Sequence, residues 1–127
     1  MKINAAEYSS KQATSEEIRE LMADDAKRGE FMILEKGDDA FVQVAGDSNG
    51  GFALEYREGE RMFRCTRNVS RDEAEEAFLD YLDGRDSWKS RVSWEPMEFS
   101  PRSSVRVVAA VVIIAALVYL AIKYFWR

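Results

Sequence analysis

The sequence contains no histidine, one cysteine and two prolines among its 127 residues. Without histidine there is no imidazole to activate a serine or cysteine nucleophile, to ligate a metal, or to change charge near neutral pH. Ser-His-Asp and Cys-His catalysis, imidazole metal sites and histidine pH switches are therefore excluded. We expect a protein that is not an enzyme and has no catalytic residues.

The single cysteine, Cys65, can form no disulfide within the chain, whereas small extracellular domains more often carry paired cysteines. It alternates with polar residues beside Phe63, on the expected core face of a strand, where cysteine behaves as a small hydrophobic residue. We predict a buried thiol without a catalytic role, in a cytosolic domain.

Motifs for phosphate, dinucleotide or calcium binding are also missing. The one glycine-rich loop, GDSNGG at residues 46 to 51, lacks the Lys-Ser/Thr of a P-loop and the spacing of a dinucleotide site. Asp47 and Asn49 could offer oxygens to calcium, but the other EF-hand ligands are out of register. We interpret the loop as a hairpin connection and predict no cofactor and no metal.

Acidic residues outnumber basic ones by 23 to 18. Four of the basic residues follow Glu98, the last acidic one, so the preceding part carries fourteen basic and twenty-three acidic residues, a formal charge of −9. Such a charge argues against nucleic acid as a partner and favours a basic protein or peptide. A surface charge that only keeps the domain in solution explains it equally well.

The first part of the chain predicts one exposed arm and one helix. Residues 1 to 13 are polar without periodicity, which predicts a flexible arm. Thr14 and Glu17 have the spacing of a capping box, so a helix should begin there and end at Gly29. Its predicted apolar stripe consists of Ile18, Leu21, Met22 and Ala26.

Four strands, a second helix and a last short strand should follow. The strand segments are residues 31 to 36, 40 to 45, 51 to 57 and 61 to 67, separated by turn sequences. A second capping box at Ser70 and Glu73 starts a helix that should run to Gly84, before a loop (RDSWKS) and a strand in RVSWEP. The apolar stripe of this helix is Ala74, Ala77, Phe78, Tyr81 and Leu82.

The order α-β-β-β-β-α-β predicts one α+β domain over residues 14 to 98, with two helices on one side of a mostly antiparallel sheet of four to five strands. Residues 99 to 104 form a Ser/Pro/Arg linker.

The last part of the chain reads as a membrane anchor. Every residue from 107 to 122 is apolar, and with its flank the stretch reaches the roughly 20 residues that span a bilayer. We predict a transmembrane helix over residues 105 to 126. Basic and aromatic side chains at its ends would meet the headgroups. These anchor residues are Arg106, Tyr119, Lys123, Tyr124 and Trp126.

Two features concern topology and association. No apolar signal peptide opens the sequence, so we expect a tail-anchored, single-pass protein whose N-terminal domain is on the cytosolic side. Alanines within the apolar stretch could let two copies pack as a homo-oligomer, although no GxxxG is present. The alternative for this stretch is a hydrophobic helix buried in an oligomer.

A partner surface is predicted on the second helix and the segment after it. Acidic side chains lie opposite the apolar stripe, and aromatic anchors ringed by charge are typical of interface hot spots. The predicted partner-binding residues are Glu76, Asp80, Asp83, Trp88 and Trp94. Plain solvation of the helix is the alternative for the acidic residues, and burial in the core is the alternative for Trp94.

Three stretches, GFALEYREGE at 51 to 60, VSRDEAEEAFLDYLDG at 69 to 84 and VSWEP at 92 to 96, give residues 31 to 95 a loose resemblance to small bacterial toxin-immunity domains. The resemblance implies an α+β module that neutralises a toxin by blocking it, often with an acidic surface against a basic toxin. It implies no site residues, and the apolar tail departs from the usual soluble form.

Our leading hypothesis is a non-enzymatic, tail-anchored protein that presents an acidic protein-binding domain. The runner-up is a small single-pass subunit of a membrane complex that acts through its transmembrane helix. A membrane-tethered enzyme is the third hypothesis.

Overall fold

The computed structural model describes residues 1 to 97, so the predicted linker and transmembrane helix lie outside the described residues. Residues 1 to 97 form one seven-stranded antiparallel sheet, in the order β2-β1-β3-β4-β5-β6-β7, and four helices. The α+β class and the antiparallel sheet are confirmed. The predicted counts of four to five strands and two helices are wrong.

The elements have the following bounds. The strands are β1 (Lys2–Ala5), β2 (Ser9–Ser10), β3 (Phe31–Gly37), β4 (Ala40–Asp47), β5 (Gly51–Glu58), β6 (Arg61–Cys65) and β7 (Trp94–Pro96). The helices are α1 (Ser15–Ala23), α2 (Asp25–Arg28), α3 (Arg71–Leu82) and α4 (Ser87–Ser90).

The N-terminal residues belong to the sheet, and the prediction of a flexible arm over residues 1 to 13 is wrong. Strand β1 pairs with β3 over four residue pairs, from Lys2 opposite Glu35 to Ala5 opposite Met32. Ile3 is completely buried in the main core. Only two residues of β1 are apolar, which is too few to show the alternation typical of a strand. Pairing with the partner strand, rather than a local sequence pattern, therefore determines the conformation of β1.

The first predicted helix is interrupted at Asp24. Its capping box is confirmed, since the Glu17 amide donates to Thr14 Oγ1 over 3.2 Å. Asp24 adopts an extended conformation and caps α2, accepting from the Lys27 amide over 3.1 Å. Gly29 ends α2 with a positive φ of 79°, which suits glycine. Because the chain changes direction at Asp24, Ala26 is exposed rather than part of the buried stripe.

The second predicted helix is α3, and its capping box is confirmed by a 3.2 Å bond from the Glu73 amide to Ser70 Oγ. Four residues of its predicted stripe are buried, and Leu82 is partly buried. The segment predicted as a loop contains the single helical turn α4, which carries Trp88 into the core. A helix of one turn is too short to show the apolar periodicity from which a helix is predicted.

The helices supply their buried residues to one face of the sheet. There, α1 and α3 pack together over a core that includes Leu34, Val44, Phe52 and Leu54 from the strands. A second, smaller cluster on the other face contains residues of the strands and Met97. Within residues 1 to 97, no helix has the length and apolarity to cross a bilayer.

Candidate functional site

Five aromatic rings meet where α4 and the C-terminal end of α3 pack against β5, β6 and β7. Tyr56 lies at the centre, with Trp88 and Trp94 edge-on at centroid distances of 4.9 and 4.7 Å and Phe63 stacked at 5.0 Å. Tyr81 contacts Trp88 at 6.0 Å. Edge-to-face contacts of this kind stabilise a fixed arrangement of rings, so the cluster is a rigid platform for the residues around it.

Trp88 is part of the core rather than of the surface. It is 2 % exposed, and its indole N–H has no hydrogen-bond partner within residues 1 to 97. It borders a cavity of about 40 Å³, enough for one water molecule. The cavity is also lined by Leu54, Glu73, Glu76, Ala77, Arg91 and Val92. Trp88 therefore packs beneath the surface residues of the site and is not accessible to a partner.

Trp94, like Phe63, is a partly buried aromatic residue of this cluster that faces both the core and the solvent. It is half-buried, and its indole Nε1 donates to the Lys89 carbonyl over 2.8 Å. Its ring edge meets Tyr56 and, at 5.6 Å, Trp88. Of the two tryptophans predicted to bind a partner, Trp94 is the one whose surface is accessible.

The predicted acidic residues of α3 are neutralised in part by a neighbouring arginine. Arg91 forms an ion pair of 2.9 Å with Asp80 and one of 3.4 Å with Glu76. The Asp80 side chain is only 12 % exposed and also accepts from Ser87 Oγ, whereas Glu76 is 61 % exposed. Asp80 is thus buried rather than on an exposed acidic face, since it pairs with Ser87 on α4 and with Arg91 directly after α4.

Asp83 lies apart from that arrangement, with Arg85 at 3.6 Å. The structure therefore brings Glu76 and Asp80 together through Arg91, and Glu76 and Trp88 line the small cavity with Arg91. Asp80, Asp83 and Trp94 lie outside that cavity's lining.

Sequence reasoning missed an acidic surface at the tips of two hairpins. Asp38 and Asp39 form the β3–β4 turn, and Glu58 and Glu60 flank Gly59 in the β5–β6 turn. The two turns lie side by side, because the Gly59 amide donates to the Asp39 carbonyl over 2.8 Å. We call these four acidic residues the acidic tip.

The acidic tip is joined to the aromatic cluster through Lys89. The Lys89 ammonium forms an ion pair with Glu58, lies 5.3 Å from the centre of the Tyr56 ring, and is 3.6 Å from Asp86. Burial is the largest single effect and lowers the pKa of Lys89, but its hydrogen bond to Glu58 and the charges of Glu58 and Asp86 together outweigh burial, and the net shift is upward. Lys89 therefore stays charged and holds the β5–β6 turn against α4.

The register between β4 and β5 explains why the two turns are neighbours. Ala40 at the start of β4 pairs with Glu58 at the end of β5, so both turns fall at the same end of the sheet. The sequences GDD and EGE mark the turns, but only the sheet order shows that they are neighbours.

Residues 1 to 97 contain no group of three or more carboxylate or thiolate side chains arranged to hold a metal ion. Cys65 is a free, buried thiol in the main core.

Comparison with known proteins finds no matching family model, no matching curated protein and no matching solved structure.

Proposed function

We propose that this protein is a non-enzymatic, membrane-anchored module that binds a protein partner with a basic surface. The single observation that supports it is the half-buried Trp94, whose ring packs edge-on against Tyr56 and whose indole donates to the carbonyl of Lys89, the residue that joins the aromatic cluster to Glu58 of the acidic tip. A well-packed tryptophan with an accessible surface is the kind of residue that interface hot spots use.

The charge of the molecule supports the same partner class. Asp38, Asp39 and Glu60 are exposed at the acidic tip, and the chain carries an excess of acidic residues. Fields of one sign steer association with a partner of the opposite sign, mainly through the association rate. Neutralisation of a basic toxin, as the resemblance to toxin-immunity domains implies, is one instance of this proposal.

The membrane part of the proposal rests on residues 105 to 126, whose apolar composition predicts a single transmembrane helix, and the proposal has the acidic domain on the cytosolic side. Anchoring would restrict the domain to partners that reach the membrane surface. The linker of residues 99 to 104 would separate the domain from the bilayer.

The test is recovery of partners from native membranes with the full-length chain, followed by variants of the site. We expect Trp94→Ala to weaken binding of a specific partner by about thirtyfold or more, because loss of an aromatic hot spot costs about 2 kcal/mol or more. The double variant Asp38→Asn/Asp39→Asn should slow association, and more so at low salt.

The matched control removes two charges from the helical side of the domain, as Glu16→Gln/Asp72→Asn, and should leave binding unchanged. Circular dichroism of each variant separates loss of binding from loss of fold. Equal binding by the Trp94→Ala and control variants would rule out this surface.

A second full-length variant tests the alternative that function lies in the membrane helix. Replacing residues 107 to 122 by leucines keeps an apolar span but removes its alanines. The proposal predicts that the partner is still recovered. Loss of the partner in this variant would instead support a single-pass subunit of a membrane complex.

A further inference from the structure

The turn between β4 and β5 contains an Asn-Gly pair, Asn49 and Gly50, that plays no part in the candidate site. Residues 48 to 50 of this turn are exposed. The turn follows the end of β4, whereas the acidic tip lies at the start of β4, so the two are at opposite ends of the sheet. Of the three asparagines in the sequence, Asn49 is the one that precedes a glycine, since Asn4 precedes an alanine and Asn68 a valine.

An asparagine followed by glycine can modify itself, because glycine has no side chain to hinder approach to its backbone nitrogen. After losing its proton to solvent, the Gly50 nitrogen attacks Cγ of Asn49, and the carboxamide nitrogen takes up a proton and leaves as ammonia. The succinimide ring that results then takes up one water molecule. Opening of the bond to Cγ gives aspartate, and opening of the original peptide bond gives isoaspartate. Either product carries one more negative charge than asparagine.

The folded turn restrains one of the two reacting groups and leaves the other free. Within residues 1 to 97, no hydrogen bond holds the carboxamide of Asn49. The Gly50 amide, in contrast, donates to Asp47 Oδ1 over 2.8 Å, and the Asn49 amide donates to the same oxygen over 3.0 Å. A carboxylate at this distance disfavours loss of the amide proton, which must leave before the nitrogen can attack.

Two further contacts hold the turn in this conformation. Asp25, at the start of α2, accepts from the amide and the hydroxyl of Ser48, over 3.2 and 3.0 Å. Asn68, before α3, donates from Nδ2 to the Gly50 carbonyl over 3.3 Å. Closure of the succinimide ring requires the backbone at Asn49 to rotate, so these contacts oppose it as well.

We propose that Asn49 is a site of spontaneous deamidation, which Asp47 keeps unreactive while the turn is folded. The turn must release the Gly50 amide before the reaction can start, so the modified fraction of the protein records how long the turn has been open. The product adds a negative charge close to Asp47 and, as isoaspartate, lengthens the backbone of the β4–β5 hairpin. This inference is independent of the proposed partner surface and of the membrane anchor.

Mass spectrometry of the full-length chain, incubated in mild detergent at mildly alkaline pH, tests the proposal. After digestion at acid pH, chromatography separates the asparagine, aspartate and isoaspartate forms of the peptide that contains residue 49. We expect the wild type to deamidate at Asn49 at least about tenfold faster when unfolded in guanidinium chloride than when folded, because the folded turn must open first.

Asp47→Ala tests the role of the carboxylate. In the folded chain it should raise the rate at Asn49 about tenfold, because the hydrogen bonds lost are worth at least the roughly 1.4 kcal/mol to which a tenfold change in rate corresponds. It should leave the rate in guanidinium chloride unchanged. Asp47→Ser keeps a weaker, neutral acceptor in the turn and should give a smaller rise.

Two further variants are matched controls. Asn68→Ala removes one contact of the turn but leaves both bonds to Asp47, so it should raise the rate less than Asp47→Ala does. Gly50→Ala should lose most of the reaction, because its methyl group hinders the attack. The turn has room for this methyl group, since a Cβ at position 50 would lie 3.7 Å from Asp47 Oδ1. Denaturation curves give the unfolded fraction of each variant, and its contribution to the rate is subtracted.

Each outcome decides one part of the proposal. Absence of deamidation at Asn49 in the unfolded wild type would overturn the site, and equal rates in the folded and unfolded wild type would overturn its protection. Unchanged rates in folded Asp47→Ala and Asp47→Ser would show that Asp47 does not control the reaction. A rise in Asn68→Ala as large as that in Asp47→Ala would assign control to the rigidity of the turn instead of the bond to Asp47.

Discussion

Arg28 is a charged residue at the centre of the main core, with no exposed surface. Its Nη1 donates to the carbonyls of Leu21 and Met22, over 2.7 and 3.3 Å, and its guanidinium lies 4.9 Å from the centre of the Phe52 ring. An ion pair with Asp25 completes the arrangement. The side chain thus satisfies carbonyls at the C-terminal end of α1, where no further helical turn can do so.

Replacing Arg28 by methionine should lower the free energy of unfolding by about 2 to 3 kcal/mol, because buried carbonyls would lose their donors. Urea denaturation of the full-length chain in mild detergent measures the change. Lys27→Met is the control, since Lys27 is exposed and its ion pair with Glu20 is at the surface, where such pairs contribute less than about 1 kcal/mol. Equal stability of the two variants would show that Arg28 is dispensable.

At the scale of the element, the N-terminus of α3 combines a capping box with an ion pair. Glu73 accepts from the Ser70 amide over 3.1 Å, and Arg67 donates to both of its carboxylate oxygens, at 3.1 and 2.6 Å. The bond from Arg67, followed by the one from Ser70, lowers the pKa of Glu73 to about 2 from an ordinary value of 4.5. The start of α3 is therefore sensitive to acid.

Because the folded pKa of Glu73 lies below the unfolded one, its ionisation stabilises the fold fully above about pH 4.5. The contribution should disappear as the pH falls towards about 2. The Glu73→Gln variant keeps a capping acceptor but cannot ionise. We expect the difference in unfolding free energy between this variant and the wild type to decrease as the pH falls across this range. Urea denaturation at each pH measures this difference.

In an Arg67→Met background, which removes the ion pair, the Glu73→Gln substitution should alter the pH dependence much less. Parallel stability curves for the wild type and Glu73→Gln between about pH 5 and 2 would contradict the assignment.

At the scale of the whole molecule, the N-terminal residues extend the sheet that the hairpins begin. Strand β1 lies between β2 and β3, and Ile3 joins the same core as Ile18, Leu34 and Phe78. The first residues of the chain are thus held by contacts with residues some thirty positions away. Their removal would expose the edge of β3.

We expect Ile3→Ala to lower the unfolding free energy by about 2 to 4 kcal/mol, the cost of deleting buried methyl and methylene groups. Lys2→Ala, at the exposed neighbouring position, should change it by less than about 0.5 kcal/mol. Thermal or urea unfolding of the full-length chain measures both. If both variants matched the wild type, β1 would not be part of the cooperative fold.

Local signals in the sequence determined the starts of α1 and α3, the four central strands and the last short strand. Capping boxes at Thr14 and Ser70 act within one helical turn, and the alternation of Phe52, Leu54 and Tyr56 is a property of a single strand. The apolar composition of residues 107 to 122 predicts the anchor in the same local way, and that stays a prediction.

Only the tertiary structure decided the place of β1, the burial of Arg28, Asp80 and Trp88, and the assembly of the acidic tip. Each of these depends on partners from other elements: β3 for β1, the end of α1 for Arg28, and Arg91 for Asp80. The local sequence of a charged residue or a short segment does not indicate such partners. The free energy of burying it depends on groups that become its neighbours only when the sheet and helices pack.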